Sequence, residues 1–386
     1  MLYMVCERIE SFDESVSPTI SWELELENNV STIEQLKEYA ELTPRSERQL
    51  QKIIERHPMS VTRYYTSLID WNDPKDPIRK MAIPSLEEFN LLGSYDTSGE
   101  RQNTKIPGLQ HKYAQTALIL TTNRCATYCR HCFRKRLVGL QSEEILSRFN
   151  DAADYIEKHE EINNVLMTGG DPLVLPTGVI REFLERLSEI SHLDFLRFGS
   201  RVPVTFPDRI LGDEEFLALL REHSVNERRI YVVTHFNHPR EITQKATDAV
   251  GALIDSGVIV DNQAVLLKGV NDDPMVMAEL LNRLVGIGIN PYYVFQCRPV
   301  KRVKSNFQVP LKRGYEIVEE AKKMLNGHSK RFKYVMSHRT GKIEIVGIAE
   351  DKFYFKYHQA KEKDIGRFFS KPMNETAGWL DDLKVD

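Results

Sequence analysis

No run of apolar residues in this chain approaches the roughly 18 that a membrane-spanning helix needs. The opening segment MLYMVCERIESFDESV carries acidic residues where a secretory signal would have an apolar stretch. Both absences argue against a membrane or secreted protein, and the chain reads as soluble and cytoplasmic. Neither sign of charge is in large excess: 52 Lys and Arg face 56 Asp and Glu, a formal net charge of -4 with a pI near 6.3. That balance argues against a general nucleic-acid binder. Cysteine is scarce, five in 386 residues. An odd number with three clustered does not make a disulfide framework, and a reducing cytosol keeps such thiols free for metal or catalysis. Low-complexity tracts and repeats of the sequence itself are also lacking.

What is present suffices for a sizeable core: 41% of the residues are hydrophobic, and the length suits one large domain with an extension. Residues 1–108 read as a mainly helical arm. STIEQLKEYAEL opens with a Ser/Thr cap, and PRSERQLQKIIERH has apolar positions at helical spacing. LIDWNDPKDPIRKMAIPS then passes through turns rich in Asp and Pro, and IPGLQHKY leads into a different regime, which puts a boundary near residue 108.

From 109 to about 330, apolar strands alternate with amphipathic helices. TALILTT, NNVLMTG, DFLRFGS, RIYVVTHF, VIVDNQAVLL and NPYYVFQC read as strands, separated by helical runs such as EEILSRFNDAADYIEKH, GVIREFLERLSEI and PMVMAELLNRLVGIG. Apolar strands joined by crossover helices imply an α/β fold with a parallel sheet, and six such units close partway into a barrel. Residues 331–386, with FKYVMSHRTGKIEIVGI and DKFYFKYH, read as a short extension of strands outside the repeat. Each barrel strand stops at a polar or glycine cluster: NRCATYC, TGGDP, GSRVPV, THFNHP, NQ and QCRP. Ligand chemistry in parallel β/α folds collects at those strand ends, so the clusters should share one cavity. Taken singly they have plainer readings: Gly169 and Gly170 as a turn, Arg201 paired with a carboxylate, His235 as a satisfied core histidine.

The first cluster, within NRCATYCRHCFRKR, brings Cys125, Cys129 and Cys132 together. Three thiolates and His131 could hold zinc, but adjacent residues rarely turn toward one ion, and structural zinc sites use separated ligand pairs. Iron–sulfur clusters are held by cysteine thiolates, so three cysteines on a four-iron cluster leave one iron open to a substrate or cofactor. Simple packing of three cysteines is the third reading.

C-x3-C-x2-C after the first strand of such a fold resembles the radical S-adenosylmethionine (SAM) superfamily. YCRHCFRKR, TGGDPL, GSRVPV, THFNHPREIT, NQAVLLKGVND and PYYVFQC further resemble the successive motifs of lysine 2,3-aminomutase, and YYTSLIDWNDPKDPIRKMAIPS with PGLQHKY is similar to that family's N-terminal region. The likeness runs from about residue 30 to 345. It implies a partial (β/α)6 radical SAM barrel with a helical N-terminal arm, a homo-oligomer, and migration of an amino group between adjacent carbons of a small amino acid. It implies a [4Fe-4S] cluster on Cys125, Cys129 and Cys132, and SAM chelated by the open iron. An electron from a donor such as flavodoxin or ferredoxin would cleave that SAM to a 5'-deoxyadenosyl radical. Pyridoxal 5'-phosphate (PLP) would be the second cofactor. Gly169, Gly170 and Asp171 resemble the motif that receives the SAM amino group, where an aspartate suits an ammonium. Ser200, Arg201, His235 and Gln263 stand where the family contacts SAM and the pyridine cofactor. Arg134 stands where the family holds the substrate's α-carboxylate, which a guanidinium fork suits; its plainer reading is a solvated basic loop with Lys135 and Arg136.

The departures carry information too. The family reads the ε-ammonium of lysine with two aspartates, one directly after the QC of a late strand, but here Arg298 follows Cys297. Like charges repel by several kcal/mol when partly desolvated. The expected substrate is therefore an amino acid other than lysine, with an anionic or neutral side chain, unless Arg298 merely pairs with an internal carboxylate. MSHRTGK replaces the glycine-rich run that precedes the family's PLP lysine, so Lys342 matches that lysine by its Gly-Lys and its position. Lys112 and Thr116 stand near the thinned phosphate grip, with His338 and Arg339 as candidate replacements. An ordinary exposed lysine is the plainer reading of Lys342. The expected activity is an isomerase of the aminomutase type. Beside it stand a PLP-independent radical SAM enzyme, a modifier of a protein lysine like the relatives acting on elongation factor P, and a cluster-bearing sensor or electron carrier.

Overall fold

The computed structural model describes residues 21–146, 148–361 and 365–383; the acidic opening segment lies outside them. Among the described residues twelve strands form one sheet in chain order. β1 (Thr104–Ile106) and β2 (Leu109–Tyr113) lead antiparallel into β3 (Thr116–Thr122). Parallel pairing then runs through β4 (Asn164–Gly169), β5 (Phe195–Gly199), β6 (Arg229–Thr234), β7 (Ile259–Leu266), β8 (Asn290–Gln296) and β9 (Lys333–His338). β10 (Gly341–Ala349), β11 (Lys352–Ala360) and β12 (Phe368–Pro372) end the sheet antiparallel.

The six strands expected from the sequence are β3 to β8. Helices Phe149–Glu157, Thr177–Ser188, Glu214–His223, Gln244–Asp255 and Pro274–Gly286 carry the crossovers between them. Local chemistry sets their starts: the side chains of Asp213, Thr243 and Asp273 accept backbone N–H groups of the first turns that follow. In Thr177–Ser188, Ile180, Phe183, Leu184 and Leu187 recur at helical spacing and are all buried. β7 alternates strictly, with Val260, Asn262, Ala264 and Leu266 buried and Gln263 and Val265 on the barrel's inner cavity.

Two details differ from expectation. KYVMSH, read as outside the repeat, is β9: helix Leu311–Lys323 crosses over and lays it parallel to β8, a seventh parallel strand before the antiparallel extension. STIEQLKEYAEL is helical only over Ile33–Leu36. Thr32 and Gln35 close a capping box around that single turn, and Thr43 before Pro44 is extended and caps the next helix, Pro44–Ile54.

The boundary near 108 falls in the turn between β1 and β2. Upstream of it, the arm braces the cysteine loop. Tyr128 N–H donates to the Ser60 carbonyl at 2.8 Å and Arg130 N–H to that of Met81 at 2.7 Å. Glu88, fully buried in the turn Leu86–Phe89, accepts from Arg130 at 2.7 and 2.6 Å and pairs with Lys135 at 2.8 Å. Burial alone would raise the Glu88 carboxyl, but Arg130 and Lys135 pull it down to about 2.

Candidate active site

The strand ends enclose a cavity of about 320 Å³. All six C-terminal clusters reach it: Cys125, Cys129 and Cys132; Gly169, Gly170 and Asp171; Ser200 and Arg201; His235; Gln263; and Cys297 with Arg298. Arg134 and Lys342 line it as well. The positions singled out in the sequence are thus brought to one place.

Burial pushes the Cys132 thiol up to about 11 and that of Cys125 well above its usual value. Among the described residues no three His, Cys, Asp or Glu side chains converge as a single-ion site. A tetrahedral zinc would draw its thiolates to about 2.3 Å from one ion, whereas a cubane takes each thiolate on a different iron and accommodates a wider spread. His131, the other zinc ligand considered, packs edge-on to Phe307 with ring centroids 5.8 Å apart.

Gly169 has φ of +119°, a conformation side chains disfavour, and a Cβ on Gly170 would run into the carbonyl of Arg124. Gly170 N–H donates to Thr122 O at 2.5 Å and Asp171 N–H to Arg124 O at 2.8 Å. These glycines thus let the end of β4 lie directly against the cysteine loop. Gly170→Ala is expected to cost about 1–3 kcal/mol of stability by overpacking and to lower iron bound per chain. Gly178→Ala, whose new methyl would have nothing within 4 Å, is expected to change neither; denaturant titration and iron analysis check both.

The Asp171 carboxylate accepts from Ser200 Oγ and Arg201 N, both at 2.7 Å, and from Leu173 N at 3.1 Å. It fixes the loop after β5 while lining the cavity. Arg201 has the carboxylate partner of its plainer reading and still reaches the cysteine loop: Nη2 pairs with Glu241 at 2.5 Å, while Nη1 donates to Cys129 Sγ at 2.7 Å. Burial, with Arg201 and Arg134 nearby, lowers His235 to about 4, so its imidazole is neutral at physiological pH.

Arg134 and Lys135 are buried, not solvated. Arg134 Nε donates to Glu100 at 3.1 Å and Nη1 to Thr168 Oγ1 at 3.0 Å. Arg298 donates to the hydroxyls of Ser98 and Ser337, both at 2.9 Å, and lies 4.0 Å over the Phe133 ring. Its hydrogen bonds go to neutral hydroxyls, and burial lowers it to about 10. Lys342 sits opposite Ser337 in the β9–β10 ladder, with Nζ 4.2 Å over the Tyr293 ring. Burial, aided by Arg197, Arg298 and Lys112, lowers its amine to about 7. It is a cavity lysine and not an exposed one.

His338 and Arg339 are corrected as phosphate donors. Strand alternation turns His338 away from Ser337 and onto Thr340 and Asp381, and Arg339 is 67% exposed beside Asp381. Residues passed over in the sequence stand on the cavity wall instead. Arg197 Nε and Gln110 Nε2 are buried there without a hydrogen-bond partner. Unpaired buried donors suit an anionic oxygen such as that of a phosphate. Lys112, singled out in the sequence, lines the same cavity with Nζ donating to the His338 carbonyl at 2.6 Å, its amine lowered to about 7 chiefly by burial. The lone arginine inside the apolar strand FLRFG was the available signal; Glu100 gave none.

A partial parallel barrel with three cysteines on its first loop and a glycine pair locked against that loop defines a radical SAM protein, and residues 119–281 match the Radical SAM superfamily. A curated sequence of Aquifex aeolicus is 41% identical over 349 residues, 90% of this chain and 93% of its own length. The L-lysine 2,3-aminomutase of Clostridium subterminale is 38% identical over 84% of this chain and 77% of its own. The glutamate 2,3-aminomutase of Clostridioides difficile is 36% identical over 78% and 70%. Among solved structures, a radical SAM methyltransferase of Sphaerobacter thermophilus aligns with a TM-score of 0.35 at 13% identity, over 59% of this chain and 68% of its own. The chain belongs to the lysine 2,3-aminomutase family of radical SAM enzymes. It is an enzyme of the aminomutase isomerase type, and membership implies a [4Fe-4S] cluster and SAM. The reading as a sensor or electron carrier falls.

Proposed function

We propose that this enzyme moves an amino group between C2 and C3 of an amino acid whose side chain carries a carboxylate. The observation that carries the reading is Arg298, a buried guanidinium on the cavity wall whose own partners are neutral hydroxyls. The carboxylates on the wall, Glu100 and Asp171, are already engaged by Arg134 and by the Ser200–Arg201 loop. An acidic side chain would give Arg298 a direct ion pair, which Glu100 and Asp96, acting on it through charge alone, do not, whereas an ammonium would meet Arg298 and Lys112. One relative is named for glutamate, so an acidic substrate occurs among proteins this similar.

In this reading Cys125, Cys129 and Cys132 hold the cluster, and Gly169, Gly170, Ser200, Arg201, His235 and Gln263 surround SAM. Arg134 takes the α-carboxylate. Lys342 anchors PLP, with Arg197, Gln110 and Lys112 near its phosphate. When bound, PLP supplies a π-system over which an unpaired electron spreads. The described part of the N-terminal arm, residues 21–108, braces the cysteine loop, the barrel of 109–330 carries the SAM residues, and the C-terminal segment that starts at residue 331 brings Lys342. A flavodoxin- or ferredoxin-type carrier provides the electron, and a cytoplasmic setting suits the free thiols.

Anaerobic assays of the reconstituted enzyme with acidic amino acids and with L-lysine test the proposal. Turnover of an acid and not of lysine is expected; efficient turnover of L-lysine would rule the reading out. Arg298→Ala is expected to lower kcat/KM for the acid about thirtyfold or more, the cost of removing one partner of a buried charge pair.

A further inference from the structure

Glu241 is absent from every role assigned above. It is fully buried at the end of the turn Pro239–Glu241, beyond β6. Four donors converge on its carboxylate: Arg201 Nη2 and Tyr65 Oη, each at 2.5 Å, and the backbone N–H groups of Asn237 and His238 at 2.6 and 3.0 Å. The same guanidinium donates through Nη1 to Cys129 Sγ at 2.7 Å. A buried carboxylate thus stands one guanidinium away from a cluster thiol.

We propose that Glu241 is a positioning residue that sets the reduction potential of the cluster, by holding Arg201 against Cys129 and offsetting its charge. A cation beside an iron–sulfur cluster favours the reduced, more negative form and so raises the potential, and hydrogen bonds to the sulfurs act in the same direction. Burial leaves these effects weakly screened. Arg201 alone would make the cluster hold an electron, received from an external low-potential one-electron carrier, too tightly to pass it to a sulfonium. Glu241 cancels much of that charge without removing the Arg201 hydrogen bond. Tyr65, from the arm helix Arg63–Ser67, fixes the carboxylate from the other side.

The inference rests on the cluster being held by Cys129 and not on any substrate. Its test is an EPR-monitored redox titration of reconstituted protein without substrate. Glu241→Gln is expected to move the midpoint positive by about 59 mV, a tenfold change in a one-electron equilibrium. Glu241→Asp, which keeps the charge, should stay near the wild type. The neutral pair Arg201→Gln/Glu241→Gln loses the nearer cation and the sulfur hydrogen bond, and should move the other way, below the wild type. If Glu241→Gln does not fold, that double variant decides alone. A Glu241→Gln midpoint equal to the wild type overturns the proposal, as does a double variant at or above the wild-type value. Wild-type protein that takes up no iron would overturn the cluster reading and this one with it.

Discussion

Cys132→Ala is expected to reduce 5'-deoxyadenosine formation under dithionite to background and to leave the reconstituted protein without a stable [4Fe-4S] signal. A cluster with one iron reserved for SAM has only three protein ligands, so losing one leaves two, and among the described residues the other cysteine on the cavity wall, Cys297, belongs to the loop after β8. The fold is expected to survive. The loop is held by bonds that do not involve sulfur, from Tyr128 to Ser60, from Arg130 to Met81, and from Arg130 and Lys135 to Glu88. Circular dichroism and thermal unfolding close to the wild type, with iron and SAM cleavage lost, is therefore the predicted pattern. SAM cleavage near the wild-type rate would show that these thiols do not carry the cluster. Cys132→Ser separates ligand chemistry from packing, since it preserves size and should still lose the activity.

The barrel was legible because its signals are local. Each of TALILTT, NNVLMTG, DFLRFGS and RIYVVTHF is a short apolar run closed by a polar or glycine cluster, and such runs keep their identity whatever packs on them. The place of β9 was not legible, since its parallel partner is chosen by a crossover helix and not by anything in KYVMSH. The same distinction runs through the site. The cysteine spacing and the Gly169–Gly170 pair lie in single stretches of chain, and the structure gives each a steric reason. Glu241 and Tyr65 bond each other across 176 positions, and Glu88 and Arg130 across 42. No periodicity reports contacts of that range. Asp171 shows a further limit: its residue type suited an ammonium, but nothing in the sequence reported the donors two and about thirty residues away that its carboxylate also serves.

Lys342→Ala is expected to abolish amino migration while leaving reductive SAM cleavage largely intact, because Lys342 stands on β10, which carries neither the cysteines nor any of the residues proposed to surround SAM. Wild-type protein expressed with ample PLP and reduced with borohydride should carry a phosphopyridoxyl mass on the Lys342 peptide. An unmodified peptide would decide for a PLP-independent enzyme. The environment makes the pH behaviour specific. An amine attacks a carbonyl only when unprotonated, and burial with Arg197, Arg298 and Lys112 lowers Lys342 to about 7, against an ordinary value of about 10.4. PLP loading should therefore rise with pH through about 7, well below the range where an exposed lysine would respond. Stability should follow the same group. Between about pH 7 and 10.4 the unfolded chain binds a proton at this lysine that the folded chain does not, so its contribution rises with pH across that window and is lost as the pH falls toward 7. Lys342→Met removes the titrating group and keeps most of the packing volume, while Lys112, whose charge helps lower Lys342, is present in both proteins. The wild type should thus lose stability relative to Lys342→Met as the pH is lowered through that window, and a difference that does not change with pH would show that Lys342 keeps its proton in the folded protein.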